Sequence, residues 1–313
     1  MKNKNNLPLV QVLMSTYNGE KYVEEQIESI IHQKEVNVHI LIRDDGSQDN
    51  TVKRIQKIKQ RYFNNIDFYQ GNNLGYKKSF IDLIHKTPTS FKYYAFADQD
   101  DYWLSTKLKI AIDKLESEDS LYKLYASTVT ICNEKLTPLY KKDISDYLPG
   151  FASTMTRVRL AGCTMVFNKP TLEIYKKIDF SKGYVKNLPS HDGFLMELVT
   201  AIGGQVAIDR NSYIYHRRLN NSVTGGGNGL KKRIKNEYQR IFKDKYESST
   251  VAQILKYQIP AYIDESNIDF IDKVIKYRIH PLQTIPLCCN KSIDCGIKIA
   301  NLETRFKILM RLF

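Results

Sequence analysis

Three carboxylates, Asp98, Asp100 and Asp101, fall within four residues directly after the aromatic and apolar run Tyr93-Tyr94-Ala95-Phe96-Ala97. A buried strand gains from apolar side chains, whereas carboxylates are costly to bury unless paired or bound to a cation. The abrupt change marks a strand that delivers acids to a pocket at its C-terminal end, where ligands bind in an open α/β sheet. Asp98 and Asp100 are two residues apart, so in a turn both can face one hard cation. Oxygen ligation suits Mg²⁺ or Mn²⁺, typically held by one or two carboxylates plus substrate phosphates. The same residues also fit a solvated acidic turn that caps the helix after it.

The elements that must position these acids can be read from the pattern. Leu9 to Met14 reads as a buried first strand running into the small polar turn Ser15-Thr16-Tyr17-Asn18-Gly19. Glu20 to Gln33 carries apolar residues at helical spacing, and Val38 to Arg43 is a second strand ending at Asp44-Asp45-Gly46-Ser47. Asp49 is placed to cap the next helix. Ile66 to Tyr69 is a shorter strand, with helices expected over about Lys77–His85 and Ser105–Glu116. Strand, polar turn and helix in repetition make the βαβ pattern of a mostly parallel α/β sheet. Further on, Tyr122–Ala126, Leu160–Phe167 and Gln205–Ile208 read as strands, Asn168 or Thr171 starts a helix, and His191-Asp192-Gly193 opens another. Gly225 to Gly229 reads as a hinge and Leu230 to about Asp244 as a basic helix.

Composition narrows the class. With 313 residues, 42% hydrophobic and 26% charged, the chain can bury a large core. Its five cysteines form no CxxC pair, which argues against structural zinc or a disulfide framework and fits a reducing cytosol. The polar opening residues lack the apolar core of a signal peptide, and no run approaches the ~18 apolar residues of a membrane span. Net charge is +13, and residues 230–313 hold 16 Lys and Arg against 9 Asp and Glu. Such an excess attracts anions; without a nucleic-acid-binding motif, lipid or phosphorylated substrate fits better than nucleic acid.

The opening strand, the Asp-Asp-Gly-Ser turn, the Asp-Gln-Asp-Asp turn and the later His-Asp, in this order, resemble the family 2 inverting glycosyltransferases of GT-A fold over residues 9 to about 225. Met14–Gly19, Leu41–Ser47 and Phe96–Trp103 resemble the bacterial polysaccharide rhamnosyltransferase branch. The resemblance implies a GT-A domain over 1–225, with a nucleotide-binding half to about 118 and an acceptor half over 119–225. A hinge and basic helical extension would occupy 226–313. It places Ser15 and Tyr17 near the base, and Asp45 against the pyrimidine imide, whose N–H seeks an acceptor. Asp100 would hold the metal, Mg²⁺ or Mn²⁺, and Asp98 the ribose or the metal's waters. Asp192 would be the general base that takes the acceptor hydroxyl's proton, although an aspartate there could equally be a helix N-cap. Relatives often read Tyr-Arg-x-His where this chain has Tyr215-His216-Arg217-Arg218. Either Arg217 or Arg218 grips the diphosphate, or a local shift lets His216 reach the metal, or the loop is simply exposed. Trp103 either packs in the core or walls the sugar pocket, and the family favours the wall.

These readings imply transfer of L-rhamnose from dTDP-rhamnose to a polyprenyl-linked saccharide, in the cytoplasm at the inner face of the membrane. A UDP-hexose or UDP-N-acetylhexosamine donor is the first alternative, and a non-catalytic nucleotide-sugar-binding or scaffolding subunit the second. The basic, apolar tail from Ile275 to Phe313 suits an anionic membrane surface, packing on the catalytic domain, or a dimer contact.

Overall fold

The computed structural model describes residues 7–156, 160–185, 188–218, 247–277 and 279–313. The expected glycine hinge and the basic helix from Leu230 to Asp244 lie outside these residues. The elements in order are β1 (Leu9–Thr16), α1 (Val23–Ile31), β2 (Asn37–Asp44), α2 (Thr51–Arg61), β3 (Ile66–Gln70), α3 (Tyr76–Lys86), β4 (Tyr93–Ala97), β5 (Tyr102–Trp103) and α4 (Lys107–Glu116). There follow β6 (Lys123–Cys132), β7 (Pro138–Lys142), α5 (Phe151–Thr154), β8 (Val166–Asn168), α6 (Lys169–Tyr175), α7 (His191–Ala201) and β9 (Gln205–Arg217). The last described helices are α8 (Glu247–Gln258), α9 (Glu265–Lys276), α10 (Thr284–Cys288) and α11 (Lys298–Leu309).

The chain divides into two compact units. The first contains the described parts of Met1–Ser145, Leu160–Lys176 and Gln205–Arg218, and it holds the sheet. Among the described residues the strand order is β3-β2-β1-β4-β8-β6-β9-β5, with β7 paired to β6. Pairings β3-β2, β2-β1 and β1-β4 are parallel, β6-β9 is parallel, and β8 runs antiparallel to both β4 and β6. β1 and β4 are buried on both faces, which is why they read as continuous apolar runs. One core gathers Val10, Val12, Met14 and Ala95 from the sheet with Ile27, Ile55, Leu108 and Ile112 from α1, α2 and α4.

Three local expectations change. Leu160–Phe167 is not one strand: Gly162–Thr164 forms a 3₁₀ turn, and only Val166–Asn168 joins the sheet. The short strand at Gln205 instead runs to Arg217, because it pairs along β6 at both ends with irregularities between them. At α2 the N-cap position falls on Asn50, but Asp49 does the capping chemistry, its Oδ1 accepting from the Thr51 amide at 2.9 Å.

The second unit contains the described parts of Asp146–Arg159, Lys177–Gly204 and Leu219–Phe313. It is helical. α7 is buried on nearly every side, with Phe194, Leu195, Leu198 and Val199 inside. The tail is helical in short pieces, with Pro281, Pro286 and Gly296 falling between or within them. No described helix is long and apolar enough to cross a membrane.

Candidate active site

Because β2, β1 and β4 are parallel neighbours, the turns that follow them leave the sheet at one edge. These are the turns at Asp45, Tyr17 and Asp98. Gln99 ties two of them together: its Oε1 accepts from the Tyr17 amide at 2.8 Å and its Nε2 donates to the Tyr17 carbonyl at 2.9 Å. Gly19 leaves room for this contact: a Cβ there would lie 2.2 Å from Gln99 Oε1 and would displace the Gln99 amide. Gln99 and Gly19 were not singled out in the sequence; the signal was the amide inside an otherwise acidic turn. Tyr17 itself has an exposed ring, and Ser15 Oγ lies 2.6 Å from Ser79 Oγ.

The Asp44–Ser47 turn is saturated from within. Asp44 accepts from Thr16 Oγ1 at 3.1 Å, the Gly46 amide at 3.2 Å, the Ser47 amide at 2.9 Å and Ser47 Oγ at 2.5 Å. Asp45 is buried; Oδ1 pairs with the Arg43 guanidinium and accepts from the Leu74 amide at 2.8 Å, and Oδ2 accepts from the Gly75 amide at 2.8 Å. Arg43 is spent as well, donating to Asp82 Oδ2 at 3.0 Å, Ser79 Oγ at 3.1 Å and the Asn72 carbonyl at 3.0 Å. The structure thus gives Asp45 a task that the sequence did not show, holding the loop that leads into α3.

The second acidic turn is different. Antiparallel pairing of β5 with β9 sets Tyr102 opposite Tyr215, which brings His216 beside Asp101. His216 Nδ1 lies 2.9 Å from Asp101 Oδ1. The 3₁₀ turn before β8 adds Cys163, whose Sγ is 3.9 Å from His216 Nδ1. Ligand atoms of Asp98, Asp101, Cys163 and His216 all lie within 4.8 Å of one another. Asp101 is fully buried, yet neither of its carboxylate oxygens accepts a well-aligned hydrogen bond among the described residues. A buried carboxylate left so is costly unless a cation compensates it.

The donor set fits a hard divalent ion. Two carboxylates and an imidazole can together hold a divalent ion, and the carboxylate oxygens are the donors that Mg²⁺ or Mn²⁺ takes. Burial and the neighbouring carboxylates hold the Cys163 thiol well above its ordinary pKa, so it is protonated while no cation is bound. The Asp101 carboxylate raises His216 to about 9, so without metal an imidazolium supplies the positive charge. A cation would take that proton's place.

Asp100 is not one of the four. Burial and the adjacent Asp101 charge push its carboxyl up to about 6, and its carbonyl accepts from Arg217 Nη1 at 2.7 Å. Asp101, passed over in the sequence, belongs to the group of side chains that could hold an ion, and Asp100 does not. It directly precedes β5 and shares the inward face with Trp103, two residues on, as strand alternation requires. Arg217 is a buried strut and not an open cation: it also donates to the Glu134 carbonyl at 3.2 Å, pairs with Glu25, and lies 4.4 Å from the Tyr22 ring centroid. Arg218 reaches the Tyr140 hydroxyl at 3.5 Å. Trp103 takes the core position of its two alternatives, 1% exposed, with Lys107 Nζ 3.7 Å from its ring centroid. Burial lowers that amine to about 7.

Asp192 belongs to the second unit. Ser190 is the N-cap residue of α7, and the Gly193 amide donates both to its Oγ at 3.2 Å and to Asp192 Oδ1 at 2.8 Å. Asp192 sits in the first turn and is the one residue of α7 that is not buried. Its neighbour His191 is buried, and burial lowers that imidazole to about 4.

With this geometry in hand, relatives can be compared. The sequence matches the family model described as "Glycosyl transferase family 2" over residues 11–172. It is 32% identical over 228 residues to the dTDP-rhamnosyl transferase RfbG of Shigella flexneri, spanning 71% of this chain and 77% of that one. It is 31% identical over 113 residues to WfaP of Escherichia coli, a UDP-Glc:alpha-D-GlcNAc-diphosphoundecaprenol beta-1,3-glucosyltransferase, spanning 36% of this chain and 43% of that one. Among solved structures, S. aureus TarS 1–349 in complex with UDP-GlcNAc shares the fold, with a TM-score of 0.56 at 15% identity over 97% of this chain and 89% of that one.

Proposed function

Because the chain belongs to glycosyl transferase family 2, we propose that it transfers L-rhamnose from dTDP-rhamnose, with inversion, to a lipid-linked saccharide of a bacterial surface polysaccharide. The observation that carries the chemistry is the Asp98, Asp101 and His216 cluster at the C-terminal edge of the parallel strands. A Mg²⁺ or Mn²⁺ ion held there would neutralise charge gathering on the departing nucleoside diphosphate. Ser15 and Tyr17 lie at the base end. Asp45 serves that end by fixing the loop of residues 71–75 through Arg43 and two backbone amides. Arg217 holds the acidic turn by its carbonyls, so its role is positioning and not diphosphate contact. Asp192 takes the proton from the acceptor hydroxyl as that oxygen attacks the anomeric carbon.

The donor assignment is supported by the dTDP-rhamnosyl transferase, which aligns with 71% of the chain. A lipid-carried acceptor is supported by the undecaprenol named for WfaP. That same relative favours a second reading, UDP-glucose as donor, on a shorter alignment of 113 residues. A turnover panel of dTDP-rhamnose, UDP-glucose, UDP-galactose and UDP-N-acetylglucosamine, each with and without Mn²⁺, decides between them. Metal-dependent turnover of dTDP-rhamnose above the others is expected. Preference for UDP-glucose would move the assignment to the second reading, and no turnover of any donor would reject transfer.

A further inference from the structure

α11 is apolar on two sides. Ala300, Thr304 and Ile308, spaced by four, form its buried side. Ile299, Leu302, Phe306 and Leu309, spaced three, four and three, form a second stripe on the opposite side, and Met310 extends it. All five are exposed, Leu302 to 72%. The preceding segment adds Ile279, Leu282 and Ile285, with Leu282 89% exposed. Scattered exposed apolar residues are ordinary, but a helical stripe of them marks a contact surface.

The charge around the stripe says what it contacts. Lys298 and Arg305 run along one edge of it. On the other edge Glu303 is largely buried and paired with Lys307 at 3.7 Å, so it adds no open negative charge. Residues 276–313 carry seven Lys and Arg against two Asp and Glu. An apolar stripe with a cationic rim is the pattern of a helix lying in the headgroup region of an anionic bilayer. A second copy of this chain fits less well, since an antiparallel two-fold contact would set the cationic rim against itself.

We propose that the outer face of α11, with the segment from Ile279 to Ile285, docks this protein on an anionic membrane surface. The proposal deepens the lipid-carried acceptor reading given above and rests on it: docking would hold the enzyme where such an acceptor is presented. The test is flotation of the full chain with vesicles of phosphatidylglycerol and phosphatidylcholine, or of phosphatidylcholine alone, at low and high salt. The wild-type protein should float with the anionic vesicles only, and less at high salt. The double variant Leu302→Glu, Phe306→Glu changes exposed residues alone; it should lose about tenfold or more of bound fraction with its melting temperature kept. Flotation unchanged in the double variant would overturn the proposal, as would a wild-type protein that never floats. A wild-type dimer that the double variant converts to monomer, with no vesicle binding by either, would assign the stripe to self-association instead. Turnover with a water-soluble acceptor analogue, measured on the same samples, reads the transferase assignment separately. Flotation without turnover would reject only that assignment, and turnover without flotation only the docking.

Discussion

Two acidic turns end neighbouring parts of the same parallel sheet, and they treat their carboxylates in opposite ways. At Asp44 and Asp45, internal amides, hydroxyls and one guanidinium meet the oxygens. At Asp101 a carboxylate just as buried has an imidazolium and a thiol beside it, yet accepts no well-aligned hydrogen bond among the described residues. The residue types are the same and the burial is the same; the supply of donors differs. A saturated turn fixes backbone, whereas an undersupplied one is poised for an external cation. The identity of an acid therefore says less about its role than the count of donors aimed at it.

Each turn can be broken in a way that tells them apart. The largest effect expected is at the undersupplied turn: Asp101→Asn should cut transfer by about 10³-fold, while the fold survives, as circular dichroism would register. Retained turnover would place the metal elsewhere. Next comes the strut beneath that turn. Arg217→Met strips donors from the Asp100, Asp101 and Glu134 carbonyls, and it should lower stability by about 3 kcal/mol in urea unfolding; a loss below about 1 kcal/mol would show that the turn holds without it.

At the saturated turn the expectation inverts. Asp45→Asn weakens the pairing with Arg43 and should cost about 2 kcal/mol of stability, with KM for the nucleotide sugar rising more than kcat falls. A variant as stable as the wild type would mean that Asp45 is held in reserve for the ligand. The smallest effect lies in the second unit. Buried His191 titrates near 4 in the folded protein against an ordinary 6.5, so the unfolded chain takes up a proton first as pH falls. Its contribution to stability is complete above about 6.5 and is lost as pH drops toward about 4. Melting temperature followed across that window should fall less in His191→Asn than in the wild type.

Much of the fold was legible because its signals are local. Leu9–Met14, Val38–Arg43 and Tyr93–Ala97 are apolar runs bounded by polar turns, and a strand buried on both faces has no other way to look. Leu160–Phe167 misled because composition alone does not separate a buried strand from a buried 3₁₀ turn. The site was half legible. The acidic motif announced chemistry, but that Asp101 lies beside His216 depends on β5 pairing with β9, more than 100 residues away in the chain. The same long-range pairing explains why His216, one of three alternatives in the sequence, is the residue beside the acids. The tasks of Arg217 and Gln99 rest wholly on carbonyls and amides brought together by folding. No residue type advertises those.

The account stands on Asp101 as the carboxylate that takes up the divalent ion. Calorimetric titration of Mn²⁺ into the protein with a nucleoside diphosphate present, on wild type, Asp100→Asn and Asp101→Asn, tests this directly. Binding kept in Asp100→Asn and lost in Asp101→Asn is the predicted result. Binding kept in Asp101→Asn and lost in Asp100→Asn would contradict it.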